Sequence, residues 1–433
     1  METDLLIIGS GPGGYKTAEY AAGKGLKVAL VERSALGGTC LNCGCIPTKS
    51  LLFDAARIDR NQNLETQYAA ALNRKDDIVK GLVSGVGMLM KQSGVIVIEG
   101  EASFISPQKV QVGENVIEAK DVIIATGSKP KMLRLEDGDR HRVMTSEALL
   151  SCPTLPQRLC IVGAGVIGLE MAQMFSSFGS EVTLVEFMKE CLPTMDQEIA
   201  RRVRRLMEKR GVKFILNAGV TRIDDTKVFY TNQKNQQQGM VEADAVLMSV
   251  GRAPMTDGLN IEAAGVEVSP KGIIVNDNMQ TSVPHVYAIG DVNGRMLLAH
   301  AATFQGYRAV NHILGDTDDI RLDIIPSAVF THPEIAAVGL TEEVCKQREL
   351  EYKVYKAMYR SNGRAVAMEA TDGLVKLLCD ANDVIIGCHA YGEDAAAMVQ
   401  EISSLMNFNV TRSRLAQLVH IHPTLSEILL DTK

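Results

Sequence analysis

The chain has 433 residues, 46% of them hydrophobic, and a formal net charge of −7. This length predicts two to four domains, and the negative charge argues against nucleic acid or an anionic membrane as a partner. The nine scattered cysteines do not resemble a secreted disulfide framework, and neither a membrane-length apolar run nor a signal-peptide pattern is present, so we expect a cytoplasmic protein.

The first predicted unit begins with an apolar strand at residues 4–8, which runs directly into the glycine-rich turn GSGPGG at residues 9–14. A helical stretch follows, and then a second strand that ends at Glu32. Strand, glycine turn, helix and terminal acid form the pattern of a dinucleotide-binding βαβ unit. We expect the helix N-terminus to face a pyrophosphate and Glu32 to accept hydrogen bonds from ribose hydroxyls.

Three cysteines follow in residues 37–50, GGTCLNCGCIPTKS. The apolar run at residues 46–53 predicts a helix, with Cys40 and Cys45 at its opening. A helix N-terminus favours thiolate, so the pair suits reversible thiol chemistry. Because Cys43 adds a third thiol, the sequence leaves the pairing open. The alternatives are a zinc knuckle or buried structural thiols, although a structural zinc site normally supplies four ligands and no second cysteine cluster is present.

Next, residues 51–92 carry apolar residues at helical spacing and predict a helical scaffold. The βαβ pattern then recurs: the turn GAGVIG at residues 163–168 follows a strand, and a later strand ends at Glu186. In both copies the acid lies 23 residues after the first glycine, which predicts two separate dinucleotide sites. Each copy also has a later apolar strand that ends in glycine, at residues 121–127 and 244–251.

The character of the chain changes at about residue 323. Residues 373–391 read as a β-hairpin, and an amphipathic helix is expected around residues 398–406. These patterns predict a separate α+β domain.

Residues 37–50 resemble the active-site segment of the FAD-dependent pyridine nucleotide-disulfide oxidoreductases, closest to their dihydrolipoamide dehydrogenase members. Residues 286–291 (VYAIGD), 330–339 (FTHPEIAAVG) and 420–427 (HIHPTLSE) resemble further segments of the family, so the resemblance covers nearly the whole chain. Cys43 departs from it, because the family carries an aliphatic residue there.

The resemblance implies an α/β fold with two Rossmann-like dinucleotide-binding domains plus a C-terminal α+β dimerisation domain. We expect residues 1–130 to form the first part of the FAD-binding domain, with the redox cysteine pair, and residues 151–254 to form the NAD-binding domain. Residues 255–322 would be a central segment that returns to the FAD domain. Residues 323–433 would form the C-terminal dimerisation domain.

The same resemblance implies oxidation of dihydrolipoyl groups with reduction of NAD, through FAD and a Cys40–Cys45 disulfide. Cys40 would exchange with substrate and Cys45 would lie against the flavin. His422 would be the general base, oriented by Glu427, and would serve the disulfide of the partner subunit in a homodimer. Lys49 and Glu170 would form an ion pair beside the flavin ring, whereas His420 is expected to be structural.

The residues expected to bind the cofactors follow from the resemblance as two sets, and no metal site is expected. The FAD set is Gly9, Gly11, Gly14, Glu32, Gly38, Thr39, Lys49, Gly100, Thr126, Gly127, Asp291, Leu297 and Ala299. The NAD set is Gly163, Gly165, Ile167, Gly168, Glu186, Val220 and Gly251.

The partners implied are a second copy of the chain and the lipoyl domains of 2-oxo acid dehydrogenase or glycine cleavage complexes. Two other members of the family are alternatives. A glutathione-reductase-like enzyme would prefer NADPH and arginines near Glu186, and a mercuric-reductase-like enzyme would need a cysteine pair beyond Cys388, the last cysteine here. A non-catalytic flavoprotein or a metal-binding module would be a different class.

Overall fold

The computed structural model describes residues 1–135, 143–224 and 226–432. Its helices are α1 (Pro12–Gly23), α2 (Gly38–Cys43), α3 (Cys45–Ala55), α4 (Leu64–Gln92), α5 (Ser146–Leu150), α6 (Val166–Phe178), α7 (Gln197–Lys209), α8 (Ala299–Leu314), α9 (Glu342–Gln347), α10 (Gly363–Ala367), α11 (Ala395–Met406) and α12 (Arg412–Leu415). Among the described residues, none of the helices has the length and apolar character needed to cross a bilayer.

The strands belong to several separate sheets. They are β1 (Glu2–Ile8), β2 (Val28–Glu32), β3 (Ile96–Glu99), β4 (Ala102–Ser106), β5 (Lys109–Val112), β6 (Asn115–Ile124), β7 (Ser128–Pro130), β8 (Val143–Met144), β9 (Arg158–Val162), β10 (Glu181–Val185), β11 (Lys213–Ile215), β12 (Ala218–Asp224), β13 (Lys227–Asn232), β14 (Gln238–Glu242), β15 (Ala245–Met248), β16 (Arg252–Pro254), β17 (Val268–Ser269), β18 (Gly272–Ile273), β19 (Val286–Ala288), β20 (Ser327–Val329), β21 (Glu334–Gly339), β22 (Lys353–Met358), β23 (Leu374–Cys379) and β24 (Ile385–Gly392).

The first sheet has the order β3-β2-β1-β6-β5-β4, and β19 also pairs with β6. Strand β1 runs parallel to β2 and β6, and β19 runs parallel to β6. All five residues of β2 are buried, as expected of a parallel strand covered on both faces. Because carboxyl ends of parallel strands meet at one edge, the turns after β1, β6 and β19 converge there.

The second sheet repeats this arrangement in the order β11-β10-β9-β15-β8, with all its pairings parallel. The antiparallel sheet β12-β13-β14 follows β11. Helix α4 packs on the second unit, because the ring of Tyr68 lies 5.1 Å from that of Phe178 at the end of α6. Buried residues of α3 and α4 share one hydrophobic core with α6, so the predicted helical scaffold packs against the second unit.

The C-terminal sheet is antiparallel, in the order β20-β21-β24-β23-β22. Strands β23 and β24 form the predicted hairpin, with Leu374 opposite Tyr391. Helix α11 covers the sheet, and its apolar side chains Met398, Val399 and Ile402 are buried against it. The predicted α/β class with a C-terminal α+β unit is confirmed.

Candidate active site

A cavity of about 1930 Å³ lies where the carboxyl edges of the two parallel sheets face each other. Its lining includes both glycine turns and the cysteine stretch. Small-molecule pockets usually measure roughly 300–1,000 Å³, so this space is large enough for more than one ligand. One continuous cavity therefore contains both glycine turns and the thiols of the cysteine stretch.

The two glycine turns have the same geometry. Gly9 and Gly163 both have φ +102°, and a Cβ atom at either position would lie 2.5 or 2.6 Å from a backbone oxygen of the chain that follows the returning strand. A Cβ at Gly14 or Gly168 would collide with the carbonyl oxygen of the first glycine in its own turn. The glycines are thus required for the tight turn and for close helix packing, as a dinucleotide-binding unit demands.

The two acids also occupy matching positions. Glu32 accepts a hydrogen bond from the Ser10 backbone N–H at 2.9 Å, and Glu186 accepts one from the Ala164 N–H at 2.5 Å. In each copy the other carboxylate oxygen accepts the backbone N–H two residues further on. Both carboxylates therefore point into their glycine turns, where the ribose of a bound dinucleotide would lie.

The predicted cofactor positions fall into two groups. Those that line the cavity are Gly9, Gly11, Glu32, Gly38, Thr39, Lys49, Gly100, Thr126, Gly127, Asp291, Leu297, Ala299, Gly163, Gly165, Ile167, Glu186, Val220 and Gly251. Gly14 and Gly168 lie behind the turns, where they let the helices approach.

Asp291 lies in the 3-10 turn Gly290–Asn293 that follows β19, on the cavity wall. Its carboxylate accepts a hydrogen bond from the Ser128 hydroxyl at 2.5 Å and lies 3.9 Å from Arg252 Nε. Burial raises the pKa of Asp291, although Ser128 and Arg252 oppose this effect. The sequence analysis did not predict Ser128 or Arg252 as site residues. Both directly follow the glycines that end the two predicted returning strands, so their position in the sequence could have indicated a place at the cavity.

The cysteine stretch contains two helices, and the prediction that Cys40 and Cys45 open a single helix is wrong. Cys40 lies within α2, which ends at Cys43, and Cys45 is the first residue of α3. Gly44 separates the two helices with φ −133° and ψ −112°. A Cβ on Gly44 would lie 2.8 Å from the Thr39 carbonyl oxygen, so glycine is needed where the chain turns back. This turn brings the two sulfur atoms together.

The thiols of Cys40 and Cys45 act on one another. A hydrogen bond between them lowers the pKa of Cys45 to about 7, with a further lowering from the nearby Lys49 ammonium, although burial opposes both effects. The same hydrogen bond and burial raise the pKa of Cys40. Of the two thiols, Cys45 therefore ionises first, and Cys40 donates its proton to the hydrogen bond between them.

Cys43 also lines the cavity, but its electrostatic neighbours are Glu147 and Arg252. Burial is the main cause that raises the pKa of Cys43, to about 12, followed by the carboxylate of Glu147 on α5, while Arg252 opposes it. Within the described part of the chain, no three His, Cys, Asp or Glu side chains are arranged to hold a metal ion. Cys43 is thus a protonated thiol beside Glu147.

The pKa of Cys45 leads to a testable result. In the reduced protein, alkylation of Cys45 by iodoacetamide should reach half of its maximal rate near pH 7, because only thiolate reacts. In Cys40→Ala the half-point should rise towards the ordinary value of 9.0, because the largest lowering cause is lost. Mass mapping of the alkylated peptides measures both; a half-point near 9 in the unaltered protein would contradict the assignment.

Lys49 and Glu170 form a bridge between the two dinucleotide units. Lys49 Nζ, on α3, lies 2.8 Å from both carboxylate oxygens of Glu170, on α6. The Glu170 side chain is 5% exposed and also accepts the backbone N–H of Phe330 at 2.9 Å. The pair lies on the cavity wall beside Cys45, so the two residues predicted as an ion pair do meet.

His422 and Glu427 are also in contact. His422 Nδ1 lies 3.0 Å from Glu427 Oε1, and the other Glu427 oxygen accepts the Thr424 N–H. These two contacts lower the pKa of Glu427, with the Thr424 bond the larger cause. The side chain of His422 is 82% exposed. Neither His422 nor Glu427 is among the described residues that line the cavity. Within one chain, the structure does not bring this pair to the thiols.

His420 is also paired with a carboxylate, which the sequence analysis did not foresee. Its Nε2 atom lies 2.8 Å from Glu401 Oε1, on α11, and its side chain is 7% exposed. Glu401 is 19 residues away in sequence, so the pairing leaves no local motif around His420. The contact fixes the loop that carries His422.

Comparison with known proteins agrees with this arrangement. Residues 3–306 match the family model described as pyridine nucleotide-disulphide oxidoreductase, and residues 325–432 match the dimerisation domain of the same family. The chain therefore belongs to the pyridine nucleotide-disulphide oxidoreductases. It is an FAD-dependent disulfide oxidoreductase whose cofactors are FAD and NAD, and its paired glycine turns and acids fit two dinucleotides.

Similar proteins cover almost the full length of the chain. Dihydrolipoyl dehydrogenase 1, mitochondrial, from Arabidopsis thaliana is 39% identical over 99% of this chain and 89% of that protein. Dihydrolipoyl dehydrogenase from Bacillus subtilis is 37% identical over 98% of this chain and 96% of that protein. Among solved structures, the HOCl-induced flavoprotein disulfide reductase RclA from Escherichia coli has a TM-score of 0.89 and 30% identity, with 99% of both chains covered.

Proposed function

We propose that this chain is an NAD-dependent dihydrolipoyl dehydrogenase, which oxidises a dihydrolipoyl dithiol to its disulfide while NAD⁺ becomes NADH and a proton is released. The observation that carries the proposal is the Cys40–Cys45 thiol pair in a cavity lined by two dinucleotide turns. The full-length similarity to dihydrolipoyl dehydrogenases supports this substrate over other disulfides.

The division of the chain follows from the same proposal. Residues 1–130 and 255–322 would form the FAD unit, residues 151–254 the NAD unit and residues 323–433 the dimerisation unit. The pairing of β19 with β6 supports the return of the central segment to the first unit. Cytoplasmic location and a lipoyl-domain partner from a 2-oxo acid dehydrogenase or glycine cleavage complex remain predictions.

The side chains have distinct roles in this reaction. Cys40 forms the bond to the substrate sulfur, and Cys45, held as thiolate by Cys40 and Lys49, lies on the flavin side. When bound, FAD supplies the two-electron relay between sulfur and nicotinamide that no side chain provides. Lys49, held by Glu170, keeps a positive charge beside the thiolate.

The base is proposed to come from a second copy of the chain. A substrate thiol must lose its proton before it attacks the disulfide. We propose that His422, whose ring contacts Glu427, accepts this proton. His422 is exposed beside the apolar side chains Val419 and Ile421, which are 100% and 79% exposed in one chain. Such apolar surface favours an interface, so we propose a homodimer in which the partner subunit's His422 completes each site.

Cofactor preference tests the proposed role of Glu186. Its carboxylate should hydrogen-bond the NAD ribose and repel the 2′-phosphate of NADP, so catalytic efficiency with NAD⁺ should exceed that with NADP⁺ at least tenfold. This requires about 1.4 kcal/mol of differential binding. Steady-state rates with both cofactors measure the ratio, and Glu186→Gln should narrow it because repulsion is lost. Equal efficiencies in the unaltered protein would contradict the assignment.

The substrate is tested by an anaerobic assay of NADH formation from dihydrolipoamide. Glutathione as the thiol and NADP⁺ as the acceptor serve as controls, because a glutathione-reductase-like enzyme would use them. We expect turnover with dihydrolipoamide and NAD⁺ and little with either control. Turnover with glutathione but not with dihydrolipoamide would show that the proposed substrate is wrong.

A further inference from the structure

A buried cluster of charges joins the second dinucleotide unit to the C-terminal sheet. Lys376, on β23, has a side chain only 1% exposed, and its Nζ lies 2.8 Å from Asp196 Oδ2. Glu342 Oε1 lies 2.6 Å and Glu198 Oε2 lies 3.1 Å from the same nitrogen. Three carboxylates therefore surround one ammonium group, which has three N–H donors to offer.

Two of these carboxylates belong to the unit that carries the second glycine turn. Asp196 immediately precedes α7 and caps it, since its Oδ1 accepts the backbone N–H groups of Glu198 and Ile199 at 3.0 and 3.2 Å. Buried ion pairs often add little to stability, because the cost of desolvating the charges offsets their attraction. The position of the cluster is thus more informative than its energy.

Asp196 ends the segment that begins with Glu186. Several contacts hold this segment to the rest of its own unit, including a hydrogen bond from the Asn217 N–H to the Met188 carbonyl and an ion pair between Arg204 and Glu190. At its start, Glu186 accepts the N–H of Ala164 in the glycine turn, and midway the Leu192 N–H donates to the Ala164 carbonyl at 2.9 Å. At its end, Asp196 caps α7 of its own unit and also accepts a hydrogen bond from Lys376 of the C-terminal sheet. The segment 186–196 therefore connects the glycine turn of its own unit to the C-terminal sheet.

The same segment forms a wall of the cavity. Phe187, Pro193 and Thr194 line it beside the glycine turn of the second unit. A shift at Asp196 would move these side chains relative to the glycine turn, and displacements of about 1 Å near a reacting ligand are costly. The distant lysine is thus coupled to the shape of the pyridine nucleotide site through one continuous piece of chain.

We infer that Lys376 is a positioning residue for the pyridine nucleotide, because it holds the 186–196 segment in the geometry that Glu186 and Phe187 need. The inference rests on the proposed assignment of the second unit to NAD. It extends that assignment to the C-terminal unit, which would take part in NAD binding without touching the ligand.

The test uses the full-length holoenzyme with Lys376→Met and, separately, Asp196→Asn, which keeps an equally good helix cap but removes the charge. In both variants the KM for NAD⁺ should rise at least fivefold, while kcat and the KM for dihydrolipoamide stay within twofold. In the double variant the KM for NAD⁺ should rise no further than in Lys376→Met alone, because the contact between Lys376 and Asp196 is already absent there.

A matched control is Arg308→Met, which breaks a partly buried ion pair with Asp318 in the first unit (2.8 Å; side chains 20% and 11% exposed). It should lower the melting temperature and leave the KM for NAD⁺ unchanged. The inference is overturned if Lys376→Met and Asp196→Asn behave like this control. If Lys376→Met fails to fold, the KM for NAD⁺ of Asp196→Asn decides by itself whether the inference holds.

Failure of the proposed function gives a different result. If the unaltered enzyme shows no turnover with dihydrolipoamide and NAD⁺, the substrate proposal is wrong, and direct titration with NADH then tests the positioning role. Weaker NADH binding in the two variants by at least fivefold supports the inference, and unchanged binding overturns it.

Discussion

Cys40→Ser and Cys45→Ser are each expected to abolish dihydrolipoamide turnover, with a loss on the order of 10⁴ or more, as is usual when a catalytic nucleophile is removed. A hydroxyl cannot form the disulfide, and replacing Cys45 also removes the thiolate with a pKa of about 7. Bound FAD should remain, because the glycine turn and Glu32 lie outside the substituted positions. Its visible absorbance and the NADH assay measure the two effects.

Cys43→Ser is the matched control within the same stretch. Its thiol faces Glu147, and burial raises the pKa of Cys43 to about 12, so it should remain protonated and leave at least half of the activity. Mass mapping of the oxidised protein, after free thiols are blocked, should show a Cys40–Cys45 disulfide. A loss at Cys43 as large as at the other two positions would mean that the pairing is wrong.

His422→Ala is expected to slow dihydrolipoamide oxidation by about 10²–10⁴, the usual contribution of a positioned base. The side chain is 82% exposed and held by Glu427, so its removal should cost little stability. FAD should remain bound and reducible by NADH, because the glycine turns and Glu186 are unchanged. Stopped-flow absorbance separates this step from thiol oxidation.

Mixed dimers test whether the base acts across the subunit interface. Co-expression of Cys40→Ser chains with His422→Ala chains should restore activity, because one site of each mixed dimer combines an intact thiol pair with the partner subunit's His422. With random pairing, about a quarter of the unaltered activity is expected from the symmetry. No recovery would show that each chain uses its own histidine and would contradict the shared site.

The sequence by itself determined the two dinucleotide-binding units. A strand, a glycine turn, a helix and a second strand are local patterns. In the second unit the strands Arg158–Val162 and Glu181–Val185 lie directly before the glycine turn and directly before Glu186, as predicted. A glycine pattern marks these turns in the sequence because positive φ and close packing leave no room for a Cβ at Gly9 or Gly163. The cysteine stretch also indicated thiol chemistry without any structure.

The tertiary structure determined which residues, distant in sequence, are in contact. The break at Gly44 depends on a 2.8 Å approach to the Thr39 carbonyl oxygen, which no periodicity reveals. The fold also brings Glu147, more than 100 residues away in sequence, next to Cys43. Lys376 and Asp196 are 180 residues apart and meet because two units pack together. Sequence patterns report contacts within a few turns of chain, whereas burial and charge pairing between units depend on the fold.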